Sequence, residues 1–305
     1  MNKLLLLFLA ISISLVMFAC GGPSDDAKQT ASTDGNAEVT DQNPEAEQKE
    51  TQPSVGDNAS TILEQVLLDS DGLKITATGL ESGILGTDIK LMIENNTNQD
   101  LAFQARNTSV NGYMVETMFS SDIPAGKKAN DAITLLASDL NLCGIDNIAD
   151  IELSFHIFTI EDWEDYLNSD IIQIKTSAAD GFVYEFDDSG EPLYEGNDIK
   201  ITTKGLAKDS SLLGSGLLLY IENNSEQPIT VQARDLSVNG FVIDGMLSKD
   251  VMPGKKANTE LTLPDYELES NGVTAISDLE FSFHIFNANS WDTITDTDTI
   301  ALKFE

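Results

Sequence analysis

Cysteine is almost missing from this sequence. Cys20 and Cys143 are the only two in 305 residues, too few for a disulfide framework, so any folded part must be held by hydrophobic cores. Positive charge is scarce too, with 17 Lys and Arg against 51 Asp and Glu and a formal net charge of −34. That balance excludes nucleic acid as a partner, because phosphate binding needs clustered Lys and Arg. It also works against docking on anionic lipid and points to a soluble, self-repelling exterior. Histidine occurs twice, at His156 and His284, which supplies too few ligands for a dedicated zinc site. Apolar runs long enough to span a membrane, roughly 20 residues, are missing as well.

The one marked apolar run lies at the start. Lys3 is followed by residues 4–18, the size of a signal-peptide apolar region rather than of a membrane span. The run ends in Val16-Met17-Phe18-Ala19-Cys20-Gly21-Gly22, which resembles the bacterial lipobox, where a small residue precedes a cysteine. The resemblance implies a signal peptide over residues 1–19 that is cut away. It also implies a diacylglycerol thioether on Cys20, palmitate-type acyl chains, and Cys20 as the new N-terminus. Two positions depart from the usual pattern: Met17 stands where most lipoboxes carry Leu, and Phe18 is bulky for its place. Lipid contributes about 0.8 kcal/mol per buried CH₂, so a two-chain anchor holds without a transmembrane helix. Residues 20–60 are rich in Asp, Glu, Gln, Ser, Thr and Asn and nearly devoid of large apolar side chains. Such a segment cannot offset the entropy of ordering, and a disordered acidic linker is expected. The expected location is extracytoplasmic, lipid-anchored to the cell membrane.

The rest of the chain is one pattern written twice. Ile93-Glu94-Asn95-Asn96 recurs as Ile221-Glu222-Asn223-Asn224, and Gln104-Ala105-Arg106 as Gln232-Ala233-Arg234. Ser109-Val110-Asn111-Gly112 recurs as Ser237-Val238-Asn239-Gly240, and Gly126-Lys127-Lys128-Ala129-Asn130 as Gly254-Lys255-Lys256-Ala257-Asn258. Ser154-Phe155-His156-Ile157-Phe158 recurs as Ser282-Phe283-His284-Ile285-Phe286, and Trp163 matches Trp291. Two domains follow, residues 61–178 and residues 179–305. Each reads as β. Ile151, Leu153, Phe155 and Ile157 alternate with Glu152, Ser154 and His156, as Leu279, Phe281, Phe283 and Ile285 do with their neighbours. Period-two alternation marks strands with one face buried. The Asn-Gly pairs favour tight hairpins. About seven short strands in about 110 residues, without a long helix, give the rhythm of an immunoglobulin-type antiparallel β-sandwich. Helical turns are expected only near residues 161–167 and before the first strand. The fold class expected is all-β: two tandem Ig-like sandwiches after a signal peptide and an acidic linker.

These motifs together resemble the Ig-like repeats of secreted or lipid-anchored proteins of Gram-positive, clostridia-like bacteria. The resemblance covers both copies. It implies the fold and the location, but no activity and no site residues.

Candidate functional residues are few. His156 and His284 lie on polar strand faces with Asp150 and Glu152 or their counterparts nearby, without a nucleophile at a legible spacing. Cys143 faces Asn271 in the other copy and reads as a filler or loop residue. At Arg106 and Arg234 the apolar parity of the strand switches, from Phe103 and Ala105 to Thr108 and Val110 in the first copy and likewise in the second. Such a switch marks a β-bulge, which re-aims side chains, so these arginines are the candidate ligand-binding residues, suited to a carboxylate. Lys127-Lys128 and Lys255-Lys256 read as guards of exposed strand edges. Trp163 and Trp291 are expected to cap the cores. Asp69-Ser70-Asp71-Gly72 and Asp187-Asp188-Ser189-Gly190 lack the ligand spacing of an EF-hand and read as hairpin turns.

No metal site, cofactor or catalytic residue is expected. The expected function is a non-catalytic surface module that binds an envelope component, an extracellular protein or a small ligand. The alternatives are a divalent-cation-binding envelope protein, or an enzyme or inhibitor with a site between the domains. A two-lobed α/β solute-binding protein is excluded by the lack of alternating helices.

Overall fold

Alternating apolar residues become two-faced strands throughout the computed structural model, which describes residues 60–211 and 213–304. The expected signal peptide, Cys20 and the expected acidic linker up to residue 59 lie outside the described residues. The first copy runs β1 (Gln65–Ser70), β2 (Leu73–Ser82), β3 (Gly86–Asn95), β4 (Leu101–Val110), β5 (Tyr113–Met114) and β6 (Thr117–Met118). It continues with β7 (Ser120–Ile123), β8 (Lys128–Leu136), α1 (Ala137–Leu142), β9 (Asp150–Thr159), β10 (Asp165–Asn168) and β11 (Ile172–Lys175). The second copy runs β12 (Glu191–Gly196), β13 (Ile199–Ser211), β14 (Gly214–Asn223), β15 (Ile229–Val238), β16 (Phe241–Val242) and β17 (Ser248–Val251). It ends with β18 (Lys256–Pro264), α2 (Asp265–Ser270), β19 (Asp278–Asn287), β20 (Thr293–Asp296) and β21 (Ile300–Lys303).

Each copy is a β-sandwich. In the first, one sheet is ordered β1-β2-β3-β8-β6, and facing it β9 pairs with β4, β10 and β11 while β4 also takes β5 and β7. The second copy repeats this with β12-β13-β14-β18 facing β15, β19 and their short partners. Ile75, Ile93 and Ile133 from one sheet meet Phe103, Leu153 and Phe155 from the other in the first core. Ile201, Ile221 and Leu261 meet Val231, Phe281 and Phe283 in the second. The alternation expected along β9 and β19 is borne out: Leu153, Ile157, Phe281 and Phe283 are fully buried.

The repeated asparagines explain why their motifs recur. Asn95 Nδ2 donates to the carbonyls of Gln99 and Ile123, as Asn223 Nδ2 does to those of Gln227 and Val251. Asn111 and Asn239 open the hairpins at φ 50° with Gly112 and Gly240 behind them at positive φ, the geometry of a two-residue type I′ turn. Asn111 Oδ1 also accepts from the backbones of Ala149 and Asp150, and Asn239 Oδ1 from those of Ser277 and Asp278.

Two local expectations are corrected. Residues 161–167 hold a tight turn and then β10, and the helices lie instead at α1 and α2. Each helix has six residues and one buried side chain, Leu140 or Leu268, too little to leave a periodic pattern. Asp187-Asp188-Ser189-Gly190 is not a hairpin. Asp187 and Asp188 are paired with Lys204 and Lys200 at 2.8 and 2.7 Å, tying the entry segment to β13, while the β12–β13 hairpin turns at Asn197 and Asp198.

Both copies fall within one compact unit. β5 lies parallel to β18 at Tyr113 and Lys256, and the Lys256 N–H donates to the Gly112 carbonyl at 3.0 Å. Met114 is buried with the second copy's core. Lys249 Nζ reaches Glu116 and Lys255 Nζ reaches Glu152, both at 2.7 Å, and Asn258 Nδ2 donates to the Leu142 carbonyl at 3.0 Å. Phe186 of the connecting segment packs edge-on against Tyr113 with centroids 5.2 Å apart, and Lys256 Nζ sits 4.6 Å from its ring centroid. Lys255 and Lys256 therefore do not guard an edge; they belong to the joint. Lys127 and Lys128 are exposed at the matching place on β8.

Candidate functional site

The inward packing of β4 and β9 decides which side chains face out. With Leu101, Phe103, Leu153, Phe155 and Ile157 in the core, the opposite parity presents Ala102, Gln104 and Arg106 beside Phe158, His156 and Ser154. The second copy presents Thr230, Gln232 and Arg234 beside Phe286, His284 and Ser282. At about 6.7 Å per residue pair along a strand, each strip is about 13 Å long.

A tryptophan roofs one end. Beyond β9 the chain turns so that the Trp163 N–H donates to the Thr159 carbonyl, and the Trp291 N–H donates likewise to that of Asn287. The two turns are held by different side chains. Thr159 Oγ1 accepts from the Glu164 N–H and bonds the Asp162 carboxylate, whereas Asn287 Oδ1 accepts from the Asn289 and Ser290 N–H groups. Both nevertheless drive the tryptophan to φ 61° or 64°, a left-handed conformation that costs a bulky residue about 1–3 kcal/mol. The indoles stack on Phe158 and Phe286 with centroids 5.4 and 5.5 Å apart and planes 18° and 17° off parallel. They remain 74% and 68% exposed. The expectation that they cap the cores is overturned, since the left-handed turn carries each ring to the outer side of its sheet.

The histidines sit next along the strips. His156 Nε2 lies 2.8 Å from Asp165 Oδ1, and His284 Nδ1 lies 2.6 Å from Asp296 Oδ1. These aspartates are not counterparts: Thr293 occupies the position of Asp165, and Asn168 that of Asp296. The two copies build the same His–carboxylate contact from different positions of the neighbouring short strand. The His156 hydrogen bond holds Asp165 below the usual carboxylate range, helped by Asn168 and by the nearby charge of Arg106. Each imidazole lies 5.0 Å from the phenylalanine under the tryptophan.

Arg106 and Arg234, the chain's only arginines, close the other end. The expected bulges are there: register shifts between Arg106 and Ser109 and between Arg234 and Ser237, with Asn107 and Asp235 at φ 54° and 55°. Both arginines are exposed. Arg106 Nη2 donates to Gln104 Oε1 at 3.2 Å. Among the described residues neither guanidinium forms an ion pair. The structure thus brings the arginines and histidines of each copy onto one face and adds a tryptophan that strand periodicity assigned to the core. Only its recurrence just after each Phe-His-Ile-Phe strand pointed to it.

Chemically each strip offers an open indole face, an amide, a His–carboxylate pair and an unpaired cation. An indole stacks flat apolar surface, and a guanidinium fits a carboxylate or phosphate in bidentate fashion. Cys143 lies elsewhere, near the joint, and burial pushes its thiol up to about 11. Among the described residues no three His, Cys, Asp or Glu side chains are grouped to hold a metal ion, and no helix is long and apolar enough to cross a membrane.

The chain matches no protein-family model and no curated protein. Solved structures it is similar to include the Salmonella enterica SafA pilin in complex with the SafB chaperone, at 12% identity and a TM-score of 0.21, covering 78% of this chain and 98% of that one. The YadV chaperone is similar at 12% identity and a TM-score of 0.22, covering 71% and 92%. Red sea bream transglutaminase is similar at 12% identity and a TM-score of 0.19, covering 77% and 31%. Likeness this loose carries nothing about what this chain binds or does.

Proposed function

We propose that this chain is a non-catalytic, lipid-anchored extracytoplasmic protein whose two Ig-like domains bind an envelope component through duplicated Trp–Phe–His–Arg strips. One observation carries the reading. Both copies hold an exposed tryptophan in a strained backbone on the same face as an unpaired arginine, although the side chains securing the tryptophan differ. Strain kept at an exposed aromatic stabilises nothing in the core, and strained positions gather at ligand clamps. The ligand that fits has a flat apolar surface for the indole and an anionic group about 13 Å or less away for the guanidinium. Two equal strips on one chain favour a repeating polymer, since the second contact gains from effective concentration. The lipobox-like junction at Cys20 supports the location.

Retention on isolated cell envelope of the chain carrying Cys20→Ala, which no lipid holds there, tests the strips. In that background Trp163→Ala with Trp291→Ala, or Arg106→Gln with Arg234→Gln, should abolish retention with the melting temperature nearly unchanged. Equal retention by the Cys20→Ala chain and both derived variants, or early melting with retention intact, would overturn the binding reading. Incorporation of a fatty-acid analogue should vanish in Cys20→Ala; equal labelling would overturn the anchor.

A further inference from the structure

The joint between the two copies is made from parts that each copy possesses, and one set of these parts is left unused at either end. Within the chain the first copy supplies a tail: the Gly112 carbonyl, Tyr113, Met114, Glu152 and the Leu142 carbonyl. The second copy supplies a head: Lys255, the Lys256 N–H and Asn258. The second copy's own tail is Gly240, Phe241, Val242, Glu280 and Ser270, and the first copy's own head is Lys127, Lys128 and Asn130.

The unused parts keep the geometry of the used ones. Asn239 and Gly240 turn at φ 50° and 81°, against 50° and 83° for Asn111 and Gly112. Their side chains stand bare. Phe241 is 46% and Val242 80% exposed where Tyr113 and Met114 are 5% and 6%. Glu280 is exposed, and neither it nor Lys127 has an ion-pair partner among the described residues, while their counterparts Glu152 and Lys255 meet at 2.7 Å. One contact has no equivalent: Ser121 stands where Lys249 meets Glu116, so the second joint is weaker than the first.

We propose that the tail of one chain docks on the head of a second copy of the same chain, repeating the internal joint. Lys127 meets Glu280, the Lys128 N–H meets the Gly240 carbonyl, and Phe241 and Val242 are covered. The charges match, and an exposed apolar pair beside a lone carboxylate fits a surface that offers a lone lysine. Such a contact is heterologous, so it propagates into a row of alternating copies rather than closing as a symmetric dimer. It goes beyond the ligand-binding reading and uses none of its residues.

A zero-length carbodiimide coupling of amine to carboxylate tests it on the purified full chain, isotopically labelled and unlabelled chains being mixed. The Lys255–Glu152 amide forms within each chain and serves as the internal standard. The expected result is a Lys127–Glu280 amide joining labelled to unlabelled peptide at protein concentrations up to about 1 mM, the weak end of specific association. Lys127→Glu or Glu280→Lys alone should lower dimer yield about tenfold, and the chain carrying both should restore it through the reversed pair. Formation of the Lys255–Glu152 amide without a mixed-isotope link between positions 127 and 280 would overturn the proposal. So would single charge reversals that leave dimer yield unchanged. Trp163→Ala with Trp291→Ala should leave the link intact; its loss would place self-association on the strips instead and overturn the head-to-tail geometry.

Discussion

Val110-Asn111-Gly112-Tyr113-Met114 and Val238-Asn239-Gly240-Phe241-Val242 form the same hairpin with the same asparagine clamp, yet Tyr113 and Met114 are buried while Phe241 and Val242 are exposed. The difference lies in what stands beside them. The first hairpin meets β18 of the next copy and extends its sheet; among the described residues the second's short strand β16 pairs with β15 and ends its sheet there. Local sequence thus determines the turn, while burial of the side chains it presents depends on a neighbour 143 positions away, the separation of Tyr113 and Lys256.

The largest effect should come from the residues that differ most in burial. Met114→Ala removes a side chain from the second core and should cost about 2–5 kcal/mol. Val242→Ala trims its exposed counterpart and should stay within about 0.5 kcal/mol. Urea unfolding at concentrations too low for self-association measures both. A cost for Val242→Ala equal to that for Met114→Ala would erase the contrast between the hairpins.

A smaller effect should follow from making the second copy resemble the first. Lys249→Ser installs the residue present at Ser121 and removes the bond to Glu116. Lys249 is buried but Glu116 is largely exposed, so the loss should be about 1 kcal/mol. Thermal unfolding of Lys249→Ser and Glu116→Gln should agree within error; a Lys249→Ser loss several times larger would show that the lysine acts chiefly through its stem and Asp139 rather than through Glu116.

The smallest effect concerns acid. Lys204 and the Ser189 hydroxyl hold Asp187 far below the usual carboxylate range, and Lys200 holds Asp188 below it. Their folded pKa values are depressed, so their stabilisation is present above the ordinary carboxylate pKa of about 4 and is lost as pH falls through the lowered values. The first copy has Thr78 in place of Lys204, so acidification should loosen the entry to the second copy first. Carboxyl-carbon titration by NMR should place both midpoints below the usual range. Midpoints at the ordinary value would mean the pairs do not persist in solution.

Much of the fold was legible because it rests on short-range physics. Alternation along β9 and β19, the Asn-Gly turns and the parity switch at Arg106 are each set by a few adjacent residues. The six-residue helices were not legible, because one buried leucine leaves no period. Nor was the exposure of Trp163 and Trp291, because an aromatic after a buried strand ordinarily continues the core, and only the positive φ of the turn reverses it. The His–Asp pairs were hidden for another reason: Asp165 and Asp296 are not repeat-equivalent, so matching the copies position by position separates them.

By itself the sequence determined two β-sandwich copies, their strand faces and hairpins, and the bulges that aim the arginines, because side-chain parity and turn preferences act within a few residues. Only the tertiary structure decided that Lys255 and Lys256 lie in a joint while Lys127 and Lys128 stay open, that Trp, His and Arg share one face, and that one hairpin is covered and its twin is not. Burial is a property of pairs of surfaces, and a linear pattern carries only one surface of each pair.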